Sequence, residues 1–419
     1  MAFAPDDERF MRQALDLARQ GVGLASPNPC VGAVLVRDGN IAGRGSYTYD
    51  GVKHAEVLAL EEAGEAARGA TLYVNLEPCS HQGRTGPCAD AVLAAGVQRV
   101  VAAMRDPNPL VNGKGLDKLR AAGIEVVEGV GTAEARRLNE AFAKYIRKKK
   151  PLVTLKAGMT LDGKIAAPPG EAGNPSAPGA GDGTTGWITG EEARAHLQEL
   201  RHASDAILVG VGTIIADDPL LTDRSGRPRR RPLMRVILDS RLRLPAESRV
   251  VQSANHDVLI LCSMAEEKRK QALEARGVRV EQVEMVSTAP PPASNLRRMP
   301  VRRRTGTGAP IKPDPSPGIV PGGRPDMQKV VERLGELELT SVLSEGGALV
   351  NWAALAAGIV DKVFLYYAPK ILAGAASVPF AAGEGFRRVS EAAQVKRLTL
   401  HRFGEDFAVE GYLRDPYED

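Results

Sequence analysis

Hydrophobic positions near the start of the chain follow first a helical and then a strand period. Apolar residues recur at helical spacing over 6–20, which predicts an amphipathic helix. The apolar run at 31–36, followed by Asp38-Gly39 and an apolar restart, predicts a β-hairpin. The same kind of pattern predicts four further elements: helices over 54–66 and 88–95, and strands over 71–76 and 98–104. Strands that alternate with helices indicate a layered α/β domain.

A second α/β pattern follows the basic segment 141–151, which ends at a proline. Short, continuous apolar runs are typical of buried strands, and longer amphipathic runs of helices. They predict strands over 205–215, 234–240 and 257–262, helices over 191–200 and 328–337, and a strand over 340–347 that ends in a glycine turn. We therefore predict two domains, 1–148 and 149–419. The stretches 168–186 and 287–325 are rich in glycine or proline and are predicted to be irregular loops.

Composition narrows the class of protein but does not identify it. With 419 residues, 43% hydrophobic and 25% charged, the chain is an ordinary globular protein for which two domains are expected. A net charge of +4 gives no reason to expect nucleic acid or a membrane as a partner, and we interpret the arginines at 297–304 as part of a solvated loop. Four cysteines are too few for a disulfide scaffold, and neither a signal peptide nor a membrane span is recognisable. We expect a cytoplasmic protein.

Candidate chemistry is concentrated in His54-Ala55-Glu56, Glu77-Pro78-Cys79 and Cys88. Catalytic zinc takes three protein ligands and keeps one position for water, and one imidazole with two thiolates meets that number. Zinc lowers the pKa of its bound water, and a nearby carboxylate such as Glu56 can carry the proton to a leaving amine. This arrangement is the one that zinc-dependent nucleobase deaminases use. The sequence therefore predicts a zinc site made of His54, Cys79 and Cys88.

Each of these residues alone has an ordinary structural explanation, since an isolated histidine or cysteine is usually packed or exposed without a ligand. Only their order and spacing together favour the metal site. Nothing marks Cys30 as a ligand, although it lies near the proposed site. His81 is better interpreted as facing a substrate, because a fourth protein ligand would exclude water from the metal.

Longer motifs around these residues resemble one enzyme family. Eight residues separate the cysteines in EPCSHQGRTGPC, with SPNPCVGAVLV upstream and DPNPLVNGKG downstream. In the second half stand LKAGMTLDGKIA, TGWITG, ILVGVGTIIADDPLLTDR, VILDS and SEGG. In order and spacing, nearly the whole chain resembles the riboflavin-biosynthesis bifunctional deaminase–reductases.

This resemblance implies a cytidine-deaminase-like α/β/α domain followed by a dihydrofolate-reductase-like α/β domain. It implies zinc-dependent deamination of 2,5-diamino-6-(5-phosphoribosylamino)pyrimidin-4-one. Reduction of the ribosyl group by NADPH would then give 5-amino-6-(5-phosphoribitylamino)uracil. The expected partner is this small pyrimidine phosphate, without nucleic acid or membrane, and the expected assembly is a homo-oligomer.

The resemblance also implies roles for single residues. Zinc would be held by His54, Cys79 and Cys88, with Glu56 as the proton shuttle. The positions that match the deaminase substrate pocket are Asn28, His81, Arg84, Asp106 and Asn108. Those that match NADPH contacts are Gly158, Trp187, Thr213, Asp217, Ser240, Gly346 and Gly347. Those that match the surroundings of the ribosyl phosphate are Lys156, which is also a candidate catalytic residue, and Thr185, Arg201, Leu221, Arg224 and Glu345.

Some residues depart from the family pattern: Tyr47 stands where many members have histidine, Arg84 where lysine is usual, and Cys30 where cysteine is unusual. Two alternatives stay open on the residues. One is a zinc deaminase of cytidine, guanine or tRNA adenosine, with a second domain that is either unrelated to the reductases or reductase-like but inactive or regulatory. The other is a non-catalytic protein that retains the fold. The long cysteine spacing argues against the first, and the intact zinc set argues against the second.

Overall fold

The computed structural model describes residues 6–168, 186–286 and 323–418, which form two main sheets. The first part of the chain holds five strands, six helices and a 3₁₀ turn over Gly64–Ala67. In chain order these are α1 (Asp7–Arg19), β1 (Gly32–Arg37), β2 (Asn40–Ser46), α2 (Ala55–Ala63), β3 (Thr71–Val74), α3 (Cys88–Ala94), β4 (Arg99–Ala102), α4 (Lys114–Ala121), β5 (Glu125–Glu128), α5 (Thr132–Leu138) and α6 (Glu140–Lys148). The elements predicted within residues 6–104 are thereby confirmed.

The first sheet has the strand order β2-β1-β3-β4-β5, antiparallel at β1 and parallel from β3 to β5. A Cβ on Gly32 would lie 2.1 Å from the carbonyl oxygen of Ala14 in α1, and a Cβ on Gly45 would lie 1.9 Å from that of Ala55 in α2. Gly45 pairs with Ala33, the neighbour of Gly32. Because successive strand residues point to opposite faces, α1 and α2 cover opposite faces of the sheet.

The second part of the chain contains the larger sheet and a 3₁₀ turn over Val389–Glu391. Its elements are β6 (Leu152–Thr160), β7 (Lys164–Ala166), α7 (Glu191–His202), β8 (Ala206–Gly210), α8 (Val211–Asp217), β9 (Met234–Leu238), α9 (Arg249–Gln252), β10 (Val258–Cys262), α10 (Glu267–Glu274), β11 (Val278–Gln282), β12 (Met285–Val286), β13 (Arg324–Pro325), α11 (Met327–Glu336), β14 (Ser341–Ser344), α12 (Ala348–Ala356), β15 (Lys362–Ala368), β16 (Val378–Pro379), β17 (Lys396–Phe403) and β18 (Asp406–Tyr412). Nine strands pair in the order β11-β10-β9-β8-β14-β6-β15-β18-β17. They are parallel from β11 to β15 and antiparallel at β18 and β17.

Strand β8 shows why the apolar runs in this half are continuous. Leu208 packs into one hydrophobic cluster with α11 and α12, whereas Ile207 and Val209 pack into another with α8, α9 and α10. A strand covered on both faces needs apolar residues at every position. The prediction of one strand over 205–215 was too long, because the strand ends at Gly210 and helix α8 begins at Val211.

The two predicted loops can be assessed only in part. Residues 169–185 and 287–322 lie outside the described residues. Within the second loop, Arg324 and Pro325 form a short strand with Val286 and Met285, so the irregular segment ends earlier than predicted. In the described ranges, the helices are too short or too polar for a membrane span. The division into 1–148 and 149–419 stays a prediction.

Buried charges join the two parts of the chain. Lys362 Nζ lies 2.6 Å from Glu140 Oε1 in α6 and 2.8 Å from Glu410 Oε1 in β18. The hydroxyl of Tyr412 donates to Glu140 Oε2 at 2.6 Å. The chain also returns to the first part at its end, where the hydroxyl of Tyr417 donates to the carbonyl oxygen of Arg136 at 2.8 Å. These contacts fix how the helix α6 lies against the larger sheet.

The close approach of α2 to Gly45 gives a prediction of stability. We expect Gly45→Ala to lower the free energy of unfolding by about 1–3 kcal/mol, since the new methyl group would meet backbone rather than a flexible side chain. Gly212→Ala is the matched control, because a Cβ there would meet no atom within 4 Å. Thermal unfolding of both variants measures the effect. Equal midpoints would contradict the packing argument.

Candidate active sites

His54, Cys79 and Cys88 converge in the first domain. His54 precedes α2, Cys88 is the first residue of α3, and Cys79 lies between β3 and α3. His54 Nδ1 lies 3.1 Å from Cys88 Sγ and 3.6 Å from Cys79 Sγ, and the three donor atoms are all within 4.8 Å of one another. The structure therefore brings together the three residues predicted to hold zinc.

The donor set itself fits zinc. One imidazole nitrogen and two sulfurs, at these separations, suit a tetrahedral ion with one position left open. Cys79 and Cys88 are buried, and the backbone N–H of Cys88 donates to Cys79 Sγ at 3.3 Å. Hydrogen bonds from Cys88 and from His54 lower the pKa of the Cys79 thiol. A thiolate at this position is the form that binds a metal.

Glu56 lies beside the three donors, in the first turn of α2. Its side chain is buried, with 3% of its surface exposed. Burial raises the pKa of the Glu56 carboxyl to about 7, against the opposing effect of His54. A carboxyl group that takes up and releases protons near neutral pH is suited to general acid–base chemistry.

A cavity of about 310 Å³ opens onto this cluster. All five residues predicted to form the deaminase substrate pocket line it: Asn28, His81, Arg84, Asp106 and Asn108. Asp106 Oδ1 accepts the backbone N–H of Asn108 at 2.8 Å, and burial raises the pKa of the Asp106 carboxyl to about 7. The set contains both hydrogen-bond donors and acceptors, as a heterocycle with amino and carbonyl groups requires.

Sequence reasoning missed part of the cavity wall. Phe142 and Ile146, four residues apart in α6, contribute apolar surface from a helix that was assigned only to the domain boundary. Their spacing on one helical face was the available signal. Tyr47 also lines the cavity, and its hydroxyl accepts a hydrogen bond from Asn28 Nδ2 at 2.7 Å. The tyrosine therefore fixes the orientation of a predicted substrate residue.

Glu77 belongs to the predicted motif, but no role was predicted for it, and the structure shows that it holds the loops around the cavity together. Its buried carboxylate accepts four backbone N–H groups. The donors are Asp106 at 3.1 Å, Gly113 at 2.7 Å, Gly115 at 2.8 Å and Leu116 at 3.4 Å. These bonds attach the chain just before Cys79 to the segment that carries Asp106 and Asn108, at the carboxyl edge of the sheet.

A second cluster lies in the larger sheet, around Lys156 on β6. Glu345 follows the neighbouring strand β14, and the side chain of Arg201, in α7, contacts Glu345. Arg201 Nε and Nη2 donate to the two oxygens of Glu345 at 2.7 and 3.0 Å. Burial lowers the pKa of the Lys156 ammonium, Arg201 lowers it further, and Glu345 opposes this. The structure thus brings together three of the residues predicted to lie near the ribosyl phosphate.

The other predicted residues of that group take different positions. Leu221 is buried and has a positive φ of 56°, beside Thr222, whose carbonyl oxygen accepts a hydrogen bond from Arg201 Nη1 at 3.0 Å. Arg224 is exposed. The Arg201 guanidinium group is therefore bonded to two protein groups, Glu345 and the backbone of Thr222. Thr185 lies outside the described residues.

The residues predicted to contact NADPH fall into two sets. Gly346 and Gly347 precede α12, next to α8, and a Cβ on Gly347 would lie 3.7 Å from Thr213 Oγ1. Backbone N–H groups at glycine turns before helices suit a phosphate. In the second set, Gly158 on β6 lies against Thr189, close along the chain to Trp187, which is 50% exposed.

Of the two remaining predicted NADPH residues, Ser240 lies in a loop and Asp217 is the last residue of a helix. Ser240 follows β9, and its carbonyl oxygen accepts N–H groups of Ser263 and Met264 at 3.2 and 3.0 Å. Asp217 ends α8 and is exposed. Strands β8, β9, β14 and β6 are parallel, so their carboxyl ends share one edge of the sheet. Thr213, Ser240 and Gly346 follow the carboxyl ends of β8, β9 and β14. Ligands of open α/β sheets bind at this edge.

Comparisons with known proteins cover both halves. Residues 4–104 match the cytidine and deoxycytidylate deaminase zinc-binding region, and residues 151–409 match the RibD C-terminal domain. Riboflavin biosynthesis protein RibD of Actinobacillus pleuropneumoniae is 36% identical over 98% of this chain and 96% of its own length. The structure of Acinetobacter baumannii RibD has a TM-score of 0.74 at 32% identity, over 97% of this chain and 98% of that chain.

A structure from Thermotoga maritima, of a diaminohydroxyphosphoribosylaminopyrimidine deaminase/5-amino-6-(5-phosphoribosylamino)uracil reductase, has a TM-score of 0.72 at 33% identity, over 97% of this chain and 98% of that chain. The predicted family and fold class are thus confirmed, including the dihydrofolate-reductase-like second domain. The chain belongs to the riboflavin biosynthesis protein RibD family and is a bifunctional enzyme, with a zinc-dependent deaminase and an NADPH-dependent reductase.

Proposed function

We propose that the first site removes the 2-amino group of 2,5-diamino-6-(5-phosphoribosylamino)pyrimidin-4-one. His54, Cys79 and Cys88 would hold the zinc ion, which makes a water molecule nucleophilic near neutral pH. The observation that carries this proposal is the buried Glu56 carboxyl beside the three donors, at the base of the 310 Å³ cavity. A deaminase needs a group at this place that moves protons.

Glu56 takes a proton from the attacking water and delivers it to the amino group, which leaves as ammonia. Asn28, Asp106 and Asn108 line the same cavity and supply hydrogen bonds to the edge of the pyrimidine ring. The bond from Asn28 to Tyr47 keeps that amide in one orientation before the substrate enters. Phe142 and Ile146 exclude water from one side of the ring.

At the second site, the proposed reaction converts the ribosyl group to a ribityl group. This change adds a hydride, which NADPH supplies, to C1′ and a proton to the ring oxygen of the ribose. Lys156 is the proposed proton donor, since its half-buried ammonium lies beside Glu345 and its lowered pKa eases proton release. Arg201 holds Glu345 in place through two hydrogen bonds.

A coupled assay on the purified full chain tests the two reactions together. The pyrimidinone phosphate is the substrate, and ammonia release and NADPH absorbance are followed with and without a zinc chelator. We expect NADPH oxidation that depends on bound zinc, because the reductase acts on the deaminated product. Ammonia release without NADPH oxidation would contradict the reductase proposal. Turnover of cytidine or guanine in place of the pyrimidinone would favour the alternative deaminase.

Metal content tests the proposed ligands. Cys88→Ala is expected to lose the bound zinc, since removal of one of three protein ligands leaves the ion too weakly held to survive dialysis. Cys30→Ala is the matched control, because Cys30 lies near the cavity but outside the donor set. Elemental analysis of both dialysed proteins gives the zinc content per chain. Full zinc occupancy in Cys88→Ala would rule out this ligand set.

The role of Glu56 has its own test. Glu56→Gln is expected to keep zinc and to lower the rate of ammonia release by about 10²–10⁴-fold, since the amide cannot transfer the proton. Reduction of the deaminated intermediate, supplied directly with NADPH, should proceed at the wild-type rate. Deamination near the wild-type rate would refute the proton-transfer role.

Lys156→Ala is expected to lower NADPH oxidation by at least about 10²-fold while ammonia release stays within about twofold of wild type. The pH dependence of NADPH oxidation by the wild type gives a second test of the role of Lys156. Only the ammonium form donates the proton, so activity is present below the pKa of Lys156 and is lost as the pH rises through it. Because that pKa is lowered, the alkaline loss should begin below the ordinary lysine pKa of about 10.4. Parallel loss of zinc or deamination would contradict two separable sites.

The partner chemistry in this proposal is a small phosphorylated heterocycle. The predicted absence of nucleic acid and the predicted homo-oligomer both stay predictions. Light scattering of the purified chain measures the oligomer.

A further inference from the structure

One segment of the second domain lies on the first domain next to the deaminase cavity. It spans residues 227–231, between α8 and β9. The backbone N–H of Arg230 donates to the carbonyl oxygen of Gly23 at 2.9 Å, and Arg230 Nη1 donates to that of Ser26 at 2.9 Å. Arg231 Nη2 donates to Ser26 Oγ at 3.3 Å. The two bonds made by Arg230 itself, one from its backbone and one from its side chain, fix its position.

From this position Arg230 contacts Tyr49, which is also in contact with Arg84 of the cavity wall. Its guanidinium carbon lies 3.6 Å from the ring centroid of Tyr49. The guanidinium carbon of Arg84, which lines the cavity, lies 4.4 Å from the same centroid, and Arg84 Nη1 donates to the carbonyl oxygen of Tyr49 at 2.9 Å. Two cations, one from each domain, thus meet on a single tyrosine at the cavity mouth.

The charges at this mouth are not balanced. Arg230 Nε has an acidic partner, Asp50, at 3.3 Å, but the Asp50 side chain is 76% exposed. An ion pair requires a nitrogen–oxygen distance of at most 4.0 Å. Among residues 6–168, 186–286 and 323–418, no carboxylate oxygen lies this close to the Arg84 guanidinium group. Two like charges in contact with one tyrosine ring repel each other, so an anion bound between them would stabilise the arrangement. Guanidinium groups bind phosphate through paired hydrogen bonds.

We propose that Arg230 of the reductase domain, together with Arg84, binds the phosphate of the deaminase substrate at the mouth of the first site. The proposal rests on the proposed deaminase function. The pyrimidine ring enters the cavity toward Glu56, and the phosphoribosyl group extends toward the mouth. A phosphate monoester carries a charge of about −1.5 to −2 at neutral pH, which two arginines match better than one. The deaminase site is then complete only with the second domain present.

The test compares two substrates and three variants in the full chain. Ammonia release is measured with the pyrimidinone phosphate and with the corresponding riboside, which lacks the phosphate. For Arg230→Ala we expect the KM for the phosphorylated substrate to rise about tenfold or more, the effect of losing one charge-assisted hydrogen bond, with kcat within about twofold. The KM for the riboside should not change. Ribose 5-phosphate should inhibit the wild type competitively and Arg230→Ala far less.

Arg231→Ala is the matched control, since Arg231 belongs to the same segment and bonds to Ser26 and to the carbonyl oxygen of Glu338. It should leave both KM values unchanged. Arg230→Lys keeps the charge and should restore part of the affinity.

Equal losses with both substrates in Arg230→Ala would show that the arginine only holds the domains together, and would overturn the proposal. No loss at all would overturn it too. If the wild type releases ammonia from neither substrate, the proposed deaminase function fails and the phosphate assignment fails with it.

Discussion

The deaminase site depends on the buried carboxylate of Glu77, whose two oxygens are bonded to the protein backbone. Glu77 accepts four backbone N–H groups from the segment that follows β4 and from the first turn of α4, and its own backbone leads directly into Pro78 and Cys79. A carboxylate this deeply buried is costly unless its oxygens are fully bonded, so the loop has little freedom to move away from it. Gly115 reinforces the fit, since a Cβ there would lie 1.9 Å from the carbonyl oxygen of Pro78. The metal donors and Asp106, which lines the cavity, are therefore held at a fixed separation.

The second constraint is the junction between the domains. The ammonium of Lys362 is buried between the carboxylates of Glu140 and Glu410, and Lys144 forms an ion pair with the buried Asp361. Buried ion pairs add little net stability compared with apolar packing, but breaking one partner is costly, so they favour one relative orientation over others. A defined orientation is what allows a segment of the second domain to reach the cavity of the first.

Much of this site could be predicted because its residues are close in sequence or belong to long motifs. Residue type and spacing alone indicate a zinc site with a proton-transferring carboxylate at His54, Glu56, Cys79 and Cys88. The role of Glu77 could not be recognised in the same way, because its partners are backbone groups 29 to 39 residues away along the chain. The proposed role of Arg230 could not be predicted either, because its contacts with the first domain become visible only in the folded structure. The strand predicted over 205–215 was too long for another reason: the apolar residues of α8 continue the pattern of β8 without interruption, so periodicity alone cannot mark the boundary.

The two sites use the same phosphoribosyl group in different ways. In the deaminase the sugar and phosphate are unchanged by the reaction, so contacts to them strengthen substrate and transition state equally and improve affinity rather than rate. Rate must then come from the buried end of the cavity, where Glu56 lies among the metal donors. In the reductase the sugar carbon is itself the reacting atom, and small displacements of its neighbours alter the rate. This difference explains why Arg84 and Arg230 stand at a partly exposed mouth, whereas Arg201 and Glu345 are locked together by two hydrogen bonds within the fold.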